Sequence, residues 1–271
     1  MIWLIGNRGM LGTEISLMLE ARGLSHTGTD REVDITDSAS LDAFASGKNI
    51  GWIINCAAYT AVDKAEDDIA LCTALNAEGP ANIASTAKKI GAKLIHLSTD
   101  YVFNGNGTRP YREDDPTDPT GVYGLTKRDG ERRALAENDA TWIVRTAWLY
   151  GKHGNNFVFT MLRLMKEKET LSVVNDQRGT PTRATDLART LVSFIEADKA
   201  GKRVPYGIYH YTNTGEITWY DFARAIYAKG RALGLLEKDC AVKPCTSAEF
   251  PAKVRRPPYS EIGRASCRER V

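Results

Sequence analysis

The chain has 271 residues, of which 42% are hydrophobic and 26% are charged, so it carries enough apolar material for one large core. Its 36 Lys and Arg residues nearly balance its 34 Asp and Glu residues, which excludes a strongly basic nucleic-acid binder and an acidic disordered chain. No apolar run reaches the ~18 residues of a membrane span, and the chain begins with a short apolar run rather than a basic leader. We therefore expect no membrane association and no signal peptide.

Short apolar runs alternate with helix-period segments through the first half of the chain. The predicted strands cover residues 2–5, 24–29, 52–55, 93–98 and 141–146. The predicted helices cover residues 11–22, 38–45, 72–90 and 123–138. Strands separated by crossover helices form βαβ units, so we predict an α/β fold with a doubly wound parallel sheet over residues 1–150.

The pattern changes after about residue 150, where polar loops become longer. Helices are predicted at residues 157–168, 185–197 and 219–233, and strands at 171–174 and 207–212. We assign residues 151–262 mainly to a smaller α/β lobe that binds substrate, with some later segments returning to the larger domain. Residues 263–271 lack apolar periodicity and resemble a vector-derived tail, which we exclude from the fold.

The cysteines and histidines do not form a pattern that is typical of a metal site. The five cysteines contain no CxxC pair, and the four histidines contain no HxxxH pair. We predict no metal site, and reduced thiols in the cytoplasm.

A glycine-rich segment, Gly6-Asn-Arg-Gly-Met-Leu-Gly12, directly follows the first predicted strand and opens the first helix. Glycines at such a turn permit a tight bend, a close approach of a pyrophosphate and close packing of the helix on the strand. The helix N-terminus then offers free N–H groups to phosphates. The spacing is GxxGxxG rather than GxGxxG, and its position after a strand indicates dinucleotide binding.

The second and third predicted strands end in residues suited to the rest of a dinucleotide. Asp30 can accept a hydrogen bond from a ribose 2′-hydroxyl, and Arg31 can bind a 2′-phosphate, so the choice between NADH and NADPH stays open. Asp34 and Ile35 follow where they could flank an adenine. The small residues Ala57 and Ala58 after the third strand would let a ligand lie against the backbone, although packing alone also explains them.

A YxxxK pair, Tyr123 and Lys127, places both side chains on one face of the helix before the fifth strand. A lysine ammonium one turn away can stabilise a tyrosinate, lower the pKa of Tyr123 and bind a ribose hydroxyl. At the carboxyl end of the fourth strand, where open parallel sheets bind ligands, Ser98 and Thr99 could polarise a substrate carbonyl.

Taken together, these segments resemble the extended short-chain dehydrogenase/reductase superfamily and, within it, the dTDP-4-dehydrorhamnose reductase family. The segments that carry the resemblance are residues 6–12, 55–66, 98–103, 123–127, 145–150, 154–157, 175–182 and 255–260. They follow the family order over nearly the whole chain. The resemblance implies a Rossmann domain that binds NADPH or NADH and a smaller C-terminal domain that binds a dTDP-sugar.

The resemblance also implies a role for each matching residue. Tyr123 would donate a proton, Lys127 would act as its electrostatic partner, and Thr99 would hydrogen-bond the 4-keto oxygen of the sugar. The residues expected to contact the sugar are Thr60, Val62, Thr99, Asp100, Tyr101, Tyr123 and Trp148. The residues expected to contact the cofactor are Gly6, Gly9, Met10, Leu11, Gly12, Asp30, Arg31, Asp34, Ile35, Ala57, Ala58, Tyr59, Tyr123 and Lys127.

The implied reaction is the reduction of dTDP-4-dehydro-L-rhamnose to dTDP-L-rhamnose, for cell-surface polysaccharide biosynthesis. Two alternatives remain: another sugar-nucleotide epimerase, reductase or dehydratase, and a non-catalytic subunit like that of methionine adenosyltransferase. Dehydratases of the superfamily usually carry Asp-Glu after the threonine, whereas Asp100 is followed here by Tyr101. The oligomeric state is left open, with a homodimer as one option.

Overall fold

The structure is a computed structural model that describes residues 1–250, 257–260 and 262. Its strands are β1 (Ile2–Ile5), β2 (His26–Thr29), β3 (Trp52–Asn55), β4 (Lys93–Thr99), β5 (Thr141–Thr146), β6 (Leu149–Tyr150), β7 (Thr170–Val174), β8 (Arg178–Gly179), β9 (Thr182–Arg183), β10 (Gly207–His210), β11 (Ile217–Thr218) and β12 (Ala241–Cys245). Its α-helices are α1 (Met10–Ala21), α2 (Ser38–Ala45), α3 (Ile69–Thr73), α4 (Gly79–Lys89), α5 (Val122–Glu137), α6 (Phe157–Glu167), α7 (Ala184–Lys199) and α8 (Trp219–Ala232). The predicted tail at residues 263–271 lies outside the described residues.

The centre of the larger lobe is a parallel sheet with the strand order β10-β5-β4-β3-β1-β2. Helices cover both of its faces, which is why several of its strands, such as β1 and β3, are almost wholly apolar. On β1, Leu4 points into the core formed with α1 and α7, and Trp3 points into the core formed with α2 and α4. The predicted doubly wound α/β fold is confirmed. Among the described residues, no helix is both long and apolar enough to cross a membrane.

The larger lobe is completed by segments from the second half of the chain. Strand β10 pairs with β5 as the outer strand of the sheet, and α7 packs against α1. The chain therefore leaves the larger lobe after β5 and returns to it with α7 and β10.

The smaller lobe has a separate hydrophobic core. Helices α6 and α8 pack beside the parallel pair β7 and β12, while β8 and β11 form a short antiparallel pair. The core side chains include Met161, Met165, Phe222 and Ile226. That this lobe binds substrate remains a prediction.

The helix predicted over residues 72–90 is present from Ile69 to Lys89, but it is interrupted by a π-helical turn at Ala74–Glu78. Pro80 explains the interruption. Proline has no N–H, so the carbonyl of Asn76 cannot accept the α-helical hydrogen bond from residue 80. The helix widens by one residue at this point, as π-bulges do.

A buried ion pair fixes α5 to the sheet. Arg145 on β5 donates two hydrogen bonds to the carboxylate of Glu131 on α5, with N···O distances of 2.8 and 2.7 Å. The two side chains are only 2% and 3% exposed. The guanidinium also lies 5.1 Å from the centre of the Phe103 ring and 3.3 Å from His210 Nε2. Burial, followed by the charge of Arg145, lowers the pKa of His210 to about 4, so His210 is neutral at physiological pH.

Candidate active site

The glycine turn after β1 has the geometry of a phosphate-binding turn. Gly6 has a φ of 76°, which places it in the left-handed region that favours glycine. A Cβ atom at residue 12 would lie 2.1 Å from the carbonyl oxygen of Gly6, so only glycine lets the helix approach the turn this closely. Gly9 is the N-cap of α1 and has no side chain to satisfy the first N–H groups of the helix. These N–H groups and the helix dipole favour an anion at this end of the sheet.

The carboxylate of Asp30 occupies the turn after β2. It accepts hydrogen bonds from the backbone N–H groups of Arg8 and Arg31, at 3.3 and 3.0 Å. The side chain of Arg8 lies 3.6 Å from Glu32 and is largely exposed. Sequence reasoning missed Arg8, which places a second guanidinium beside the glycine turn. In the sequence, the only indication that Arg8 lies beside the glycine turn was its position two residues after Gly6.

Asp34 and Ile35 differ in their exposure to solvent. Asp34 is exposed, and its carboxylate accepts hydrogen bonds from the N–H and hydroxyl groups of Thr36, both at 2.8 Å. These two hydrogen bonds lower the pKa of Asp34. Ile35 is only 5% exposed and packs in the core near Gly79.

The loop after β3 is held by two buried asparagines. Asn55 accepts a hydrogen bond from the N–H of Ala57 at 3.0 Å. Asn76, in the π-helical turn, accepts from the N–H of Tyr59 at 2.9 Å and donates to the carbonyl of Tyr59 at 3.0 Å. Sequence reasoning missed both asparagines. The loop they hold carries Ala57, Ala58 and Tyr59, and the π-helical turn is what orients Asn76 toward it.

Four of the predicted site residues come together where β4 ends and α5 begins. Tyr123 lies in the first turn of α5, close enough to the end of β4 for the hydroxyl of Thr99 to lower its pKa. The Thr99 hydroxyl donates to Asp100 Oδ1 at 2.9 Å and accepts from the N–H of Tyr101 at 3.3 Å. The ring of Tyr101 contacts that of Tyr123 edge to face, with 5.4 Å between the ring centres. The arrangement offers two neighbouring hydroxyls to one ligand atom.

Lys127 lies one helical turn beyond Tyr123 and is only 2% exposed. Its Nζ donates a hydrogen bond to the carbonyl of Leu97 on β4 at 2.7 Å. Burial lowers the pKa of Lys127 to about 8. The ammonium is thus positioned against the sheet without a carboxylate hydrogen-bonded to it among the described residues.

That Lys127 lowers the pKa of Tyr123 stays a prediction, since Lys127 is not among the groups that change this pKa most in the structure. Burial has the largest effect and raises the pKa of Tyr123 well above its ordinary value, while the hydroxyl of Thr99 opposes the increase. The hydrogen bond of Lys127 to Leu97 holds the ammonium against the sheet. Tyr123 therefore remains protonated at neutral pH, as a proton donor must.

Two further hydroxyls line the same end of the sheet. Ser98 Oγ and Thr146 Oγ1 are buried and have no hydrogen-bond partner within the described part of the chain. They lie on neighbouring strands, since Ser98 pairs in register with Arg145 and Thr99 with Thr146. Buried polar atoms are normally paired, so unpaired hydroxyls here fit a site that is completed by a polar ligand.

Trp148 lies where the chain crosses from the larger lobe to the smaller one. Its φ of 48° is in the left-handed region, which is strained for a tryptophan. The indole stacks on Trp219 with 3.6 Å between ring centres and donates a hydrogen bond to Ser260 Oγ at 2.9 Å. The side chain of Trp148 is thus held by Trp219 against its ring and by Ser260 at its ring nitrogen.

Two other residues expected to contact the sugar lie on the loop after β3. Thr60 is exposed and Val62 is half-buried.

Comparison with known proteins gives the family. The model described as the RmlD substrate binding domain matches residues 1–270. A dTDP-4-dehydrorhamnose reductase of Streptomyces griseus is 46% identical over 263 residues, which are 96% of this chain and 84% of that protein. The chain belongs to the dTDP-4-dehydrorhamnose reductase family. A probable dTDP-4,6-dihydroxy-2-methyloxan-3-one 4-ketoreductase of Streptomyces antibioticus is 42% identical, over 97% of this chain and 87% of that protein.

A solved structure of the family agrees with this fold. The dTDP-4-dehydrorhamnose reductase of Bacillus anthracis, crystallised in complex with NADP, superposes with a TM-score of 0.91 at 36% identity. The match covers 99% of this chain and 92% of that one. The resemblance to the reductase family and the Rossmann fold are thereby confirmed, while the roles of individual residues remain predictions.

Proposed function

We propose that this chain catalyses the NADPH- or NADH-dependent reduction of the 4-keto group of dTDP-4-dehydro-L-rhamnose, giving dTDP-L-rhamnose. The observation that carries the proposal is that Thr99 at the end of β4 and Tyr123 in the first turn of α5 lie at the same edge of the sheet as the glycine turn. Its membership of a family of dTDP-sugar reductases supports the choice of substrate.

The glycine turn, the first N–H groups of α1 and the unpaired hydroxyls of Ser98 and Thr146 fit a dinucleotide. When bound, the reduced nicotinamide supplies the hydride that the C4 atom of the sugar receives. Lys127 binds the ribose hydroxyls from the face of α5 that also carries Tyr123.

Two hydroxyls act on the 4-keto oxygen. Thr99 donates a hydrogen bond to this oxygen and stabilises the negative charge that develops there. Tyr123 transfers its phenolic proton to the same oxygen, so the ketone becomes an alcohol and Tyr123 becomes a tyrosinate. Burial keeps Tyr123 protonated until the transfer takes place.

The remaining sugar contacts come from both lobes. Thr60, Val62, Asp100, Tyr101 and Trp148 surround the sugar, and the smaller lobe binds the dTDP group. The protein acts in the cytoplasm, where nucleotide sugars are made, and its association as a homodimer belongs to the same proposal. Because both Tyr123 and Lys127 are present, an enzyme is favoured over a regulatory subunit.

The test is a direct assay of purified protein. dTDP-4-dehydro-L-rhamnose and its D-gluco isomer are offered separately with NADPH and with NADH, and the products are identified by NMR. We expect faster reduction of the L-rhamno sugar. Preference for the D-gluco isomer would instead assign the same chemistry to another 4-keto sugar, and no oxidation of either cofactor would contradict the proposal.

Substitution of the glycine at the start of α1 tests the dinucleotide site. The methyl group of Gly12→Ala would lie 2.1 Å from the carbonyl oxygen of Gly6, so the helix must shift. We expect the free energy of unfolding to fall by about 1–3 kcal/mol. Binding of NADPH, followed by fluorescence titration, should weaken at least tenfold. Gly51→Ala is the stability control for a loop glycine, since a Cβ there meets nothing within 4 Å and its φ is not positive.

The turn after β2 should accept both cofactors. The Asp30 carboxylate suits the 2′-hydroxyl of NADH, and Arg31 suits the 2′-phosphate of NADPH, so we expect a preference below about a hundredfold, or ~3 kcal/mol. Arg31→Ala should weaken NADPH selectively, and Asp30→Ala should mainly weaken NADH. Steady-state kinetics with both cofactors measure this, with Arg8→Ala as the matched comparison. Equal weakening of both cofactors by Arg31→Ala would show that Arg31 does not contact the 2′-phosphate.

A further inference from the structure

The described residues near the C-terminus, 257–260 and 262, lie between the two lobes, and we call them the C-terminal clasp. They include the end of the last segment that resembles the reductase family. In the smaller lobe, the N–H of Arg178 on β8 donates to the carbonyl of Pro258 at 2.9 Å. The N–H of Ser260 donates in turn to the carbonyl of Arg178 at 2.9 Å. The clasp is thereby paired with a strand of the smaller lobe.

The clasp also contacts the larger lobe at two places in the loop between β4 and α5. Gly105 in this loop has a φ of 77°, and a Cβ atom there would lie 2.5 Å from the Cα atom of Pro257. Tyr111 in the same loop forms a parallel bridge with Ile262. The side chain of Ile262 is fully buried and packs beside Phe103. One short segment of the chain therefore joins the two lobes.

Within the clasp, Ser260 holds the indole of Trp148. Its Oγ accepts a hydrogen bond from Trp148 Nε1 at 2.9 Å and donates to the carbonyl of Arg178 at 3.2 Å. Because Ser260 is buried and its own proton is directed at a fixed carbonyl, its lone pairs are directed at the indole. A Cβ atom at Gly179 would lie 2.6 Å from Ser260 Oγ and 2.7 Å from Trp148 Cε2. Only a glycine at this position lets the hydroxyl and the indole meet so closely.

The position of the Trp148 ring depends on this hydrogen bond. The φ of Trp148 is 48°, a conformation that a tryptophan keeps only where its surroundings hold it. Trp219 covers one face of the ring, and the two ring planes are 12° apart. Stacking fixes the plane of a ring but leaves it free to slide and turn within that plane. The hydrogen bond from Nε1 to Ser260 removes this freedom, because it fixes one atom of the ring edge.

We propose that Ser260 is a positioning residue for sugar binding. Its hydroxyl fixes the indole of Trp148 in the orientation that contacts the sugar, and the clasp fixes Ser260 relative to both lobes. This inference rests on the proposed function, in which Trp148 contacts the sugar, and it makes sugar binding depend on a residue 112 positions further along the chain. Neither the hydride nor the proton passes through Ser260, so its hydroxyl affects binding of the sugar rather than the chemical step.

Ser260→Ala removes the acceptor of the indole N–H and keeps the backbone hydrogen bonds of the clasp to β8. We expect the KM for dTDP-4-dehydro-L-rhamnose to rise at least tenfold, the change in binding that corresponds to about one lost hydrogen bond of a buried group. The kcat should stay within threefold of the native value, and the Kd of NADPH should not change. Steady-state kinetics and a fluorescence titration of NADPH measure these constants. A native KM, or a decrease in kcat alone, would overturn the proposal.

A double-mutant cycle shows whether Ser260 acts through Trp148. Trp148→Phe removes the indole N–H and should itself raise the KM for the sugar. Adding Ser260→Ala to Trp148→Phe should raise the KM by less than a further twofold, because the hydrogen bond between the two side chains is already lost. If Ser260→Ala raised the KM as much in Trp148→Phe as in the native protein, the hydroxyl would act on another group and the proposal would fail.

Circular dichroism tests the position of the indole without cofactor or sugar. The two indoles, with 3.6 Å between ring centres, couple their electronic transitions and give a paired positive and negative band in the far ultraviolet, which Trp219→Phe removes. In Ser260→Ala this paired band should lose at least half of its amplitude, and an unchanged band would overturn the proposal. If the native protein reduces neither sugar but Ser260→Ala loses the band, the proposed function fails while the positioning of Trp148 by Ser260 stands.

Two further serine substitutions complete the test. Ser193→Ala is the matched control, because its hydroxyl donates to the carbonyl of Thr190 within α7 at 2.7 Å, and it should leave both the KM and the paired band unchanged. Ser260→Cys keeps the shape of the side chain but offers a weaker acceptor, so its KM should lie between those of the native protein and Ser260→Ala. It serves if Ser260→Ala does not fold, and a native KM in Ser260→Cys would then contradict the proposal.

The contact of the clasp with the larger lobe is tested at Gly105. The methyl group of Gly105→Ala would lie 2.5 Å from the Cα atom of Pro257, so the clasp must shift although Ser260 keeps its hydroxyl. We expect the KM for the sugar to rise and the paired band to weaken, as in Ser260→Ala, with kcat again within threefold. A native KM and an unchanged band in Gly105→Ala would show that the larger lobe does not help to fix Ser260.

Discussion

Replacing Tyr123 by phenylalanine is expected to lower kcat by ~10²–10⁴-fold and to leave binding of NADPH nearly unchanged. The substitution removes one hydroxyl from a side chain whose ring packs against Tyr101, so the fold of this region should persist. The Thr99 hydroxyl remains and can still polarise the 4-keto oxygen, but no group then supplies the proton. Steady-state kinetics at fixed sugar concentration and a fluorescence titration of NADPH measure the two effects.

Tyr227→Phe is the matched control for this substitution. Its hydroxyl donates a hydrogen bond to Asp239 in the smaller lobe, far along the chain from the proposed acid. Loss of that hydroxyl should leave kcat unchanged. If Tyr123→Phe kept a third of the native turnover, another group would have to be the proton donor.

Breaking the ion pair between Arg145 and Glu131 should have the largest effect on stability. Arg145→Met leaves the Glu131 carboxylate buried without its partner, at 3% exposure. An isolated charge in such a site costs far more than the pair gains, so we expect the free energy of unfolding to fall by about 3–5 kcal/mol. Urea denaturation followed by circular dichroism measures the loss.

Removing both charges distinguishes this explanation from a simple packing defect. The double variant Arg145→Met and Glu131→Gln leaves no unpaired charge, so most of the stability should return. A double variant as unstable as Arg145→Met alone would contradict the argument and show that the guanidinium acts through its contacts with Phe103 and His210.

Much of the fold follows from local patterns that the sequence displays directly. Strands β1, β3 and β5 and helix α2 have the bounds that the pattern predicts, because apolar runs covered on both faces end sharply at turn residues. The glycine turn and the YxxxK pair were also identifiable, since a short spacing places their members together without knowledge of the tertiary structure.

Other features depend on contacts between distant parts of the chain. Pro80 was visible within the predicted helix, but only the hydrogen bonds of Asn76 to Tyr59 show what the resulting π-helical turn does. The pKa of Tyr123 depends on how deeply the fold buries it, and burial outweighs the expected influence of Lys127. The left-handed backbone of Trp148 is unfavourable for its residue type and persists because Trp219 and Ser260 hold the indole.

The late position of β10 in the chain has a consequence for synthesis on the ribosome. Strand β5 is complete at Thr146, but among the described residues its outer edge is paired only by residues 207–210. A nascent chain that has emerged as far as β5 therefore exposes a row of unpaired N–H and C=O groups, and it also lacks α7 to cover α1. About sixty residues must still be added, which takes several seconds at ordinary rates of elongation. During that interval the N-terminal half is most exposed to aggregation and to chaperones.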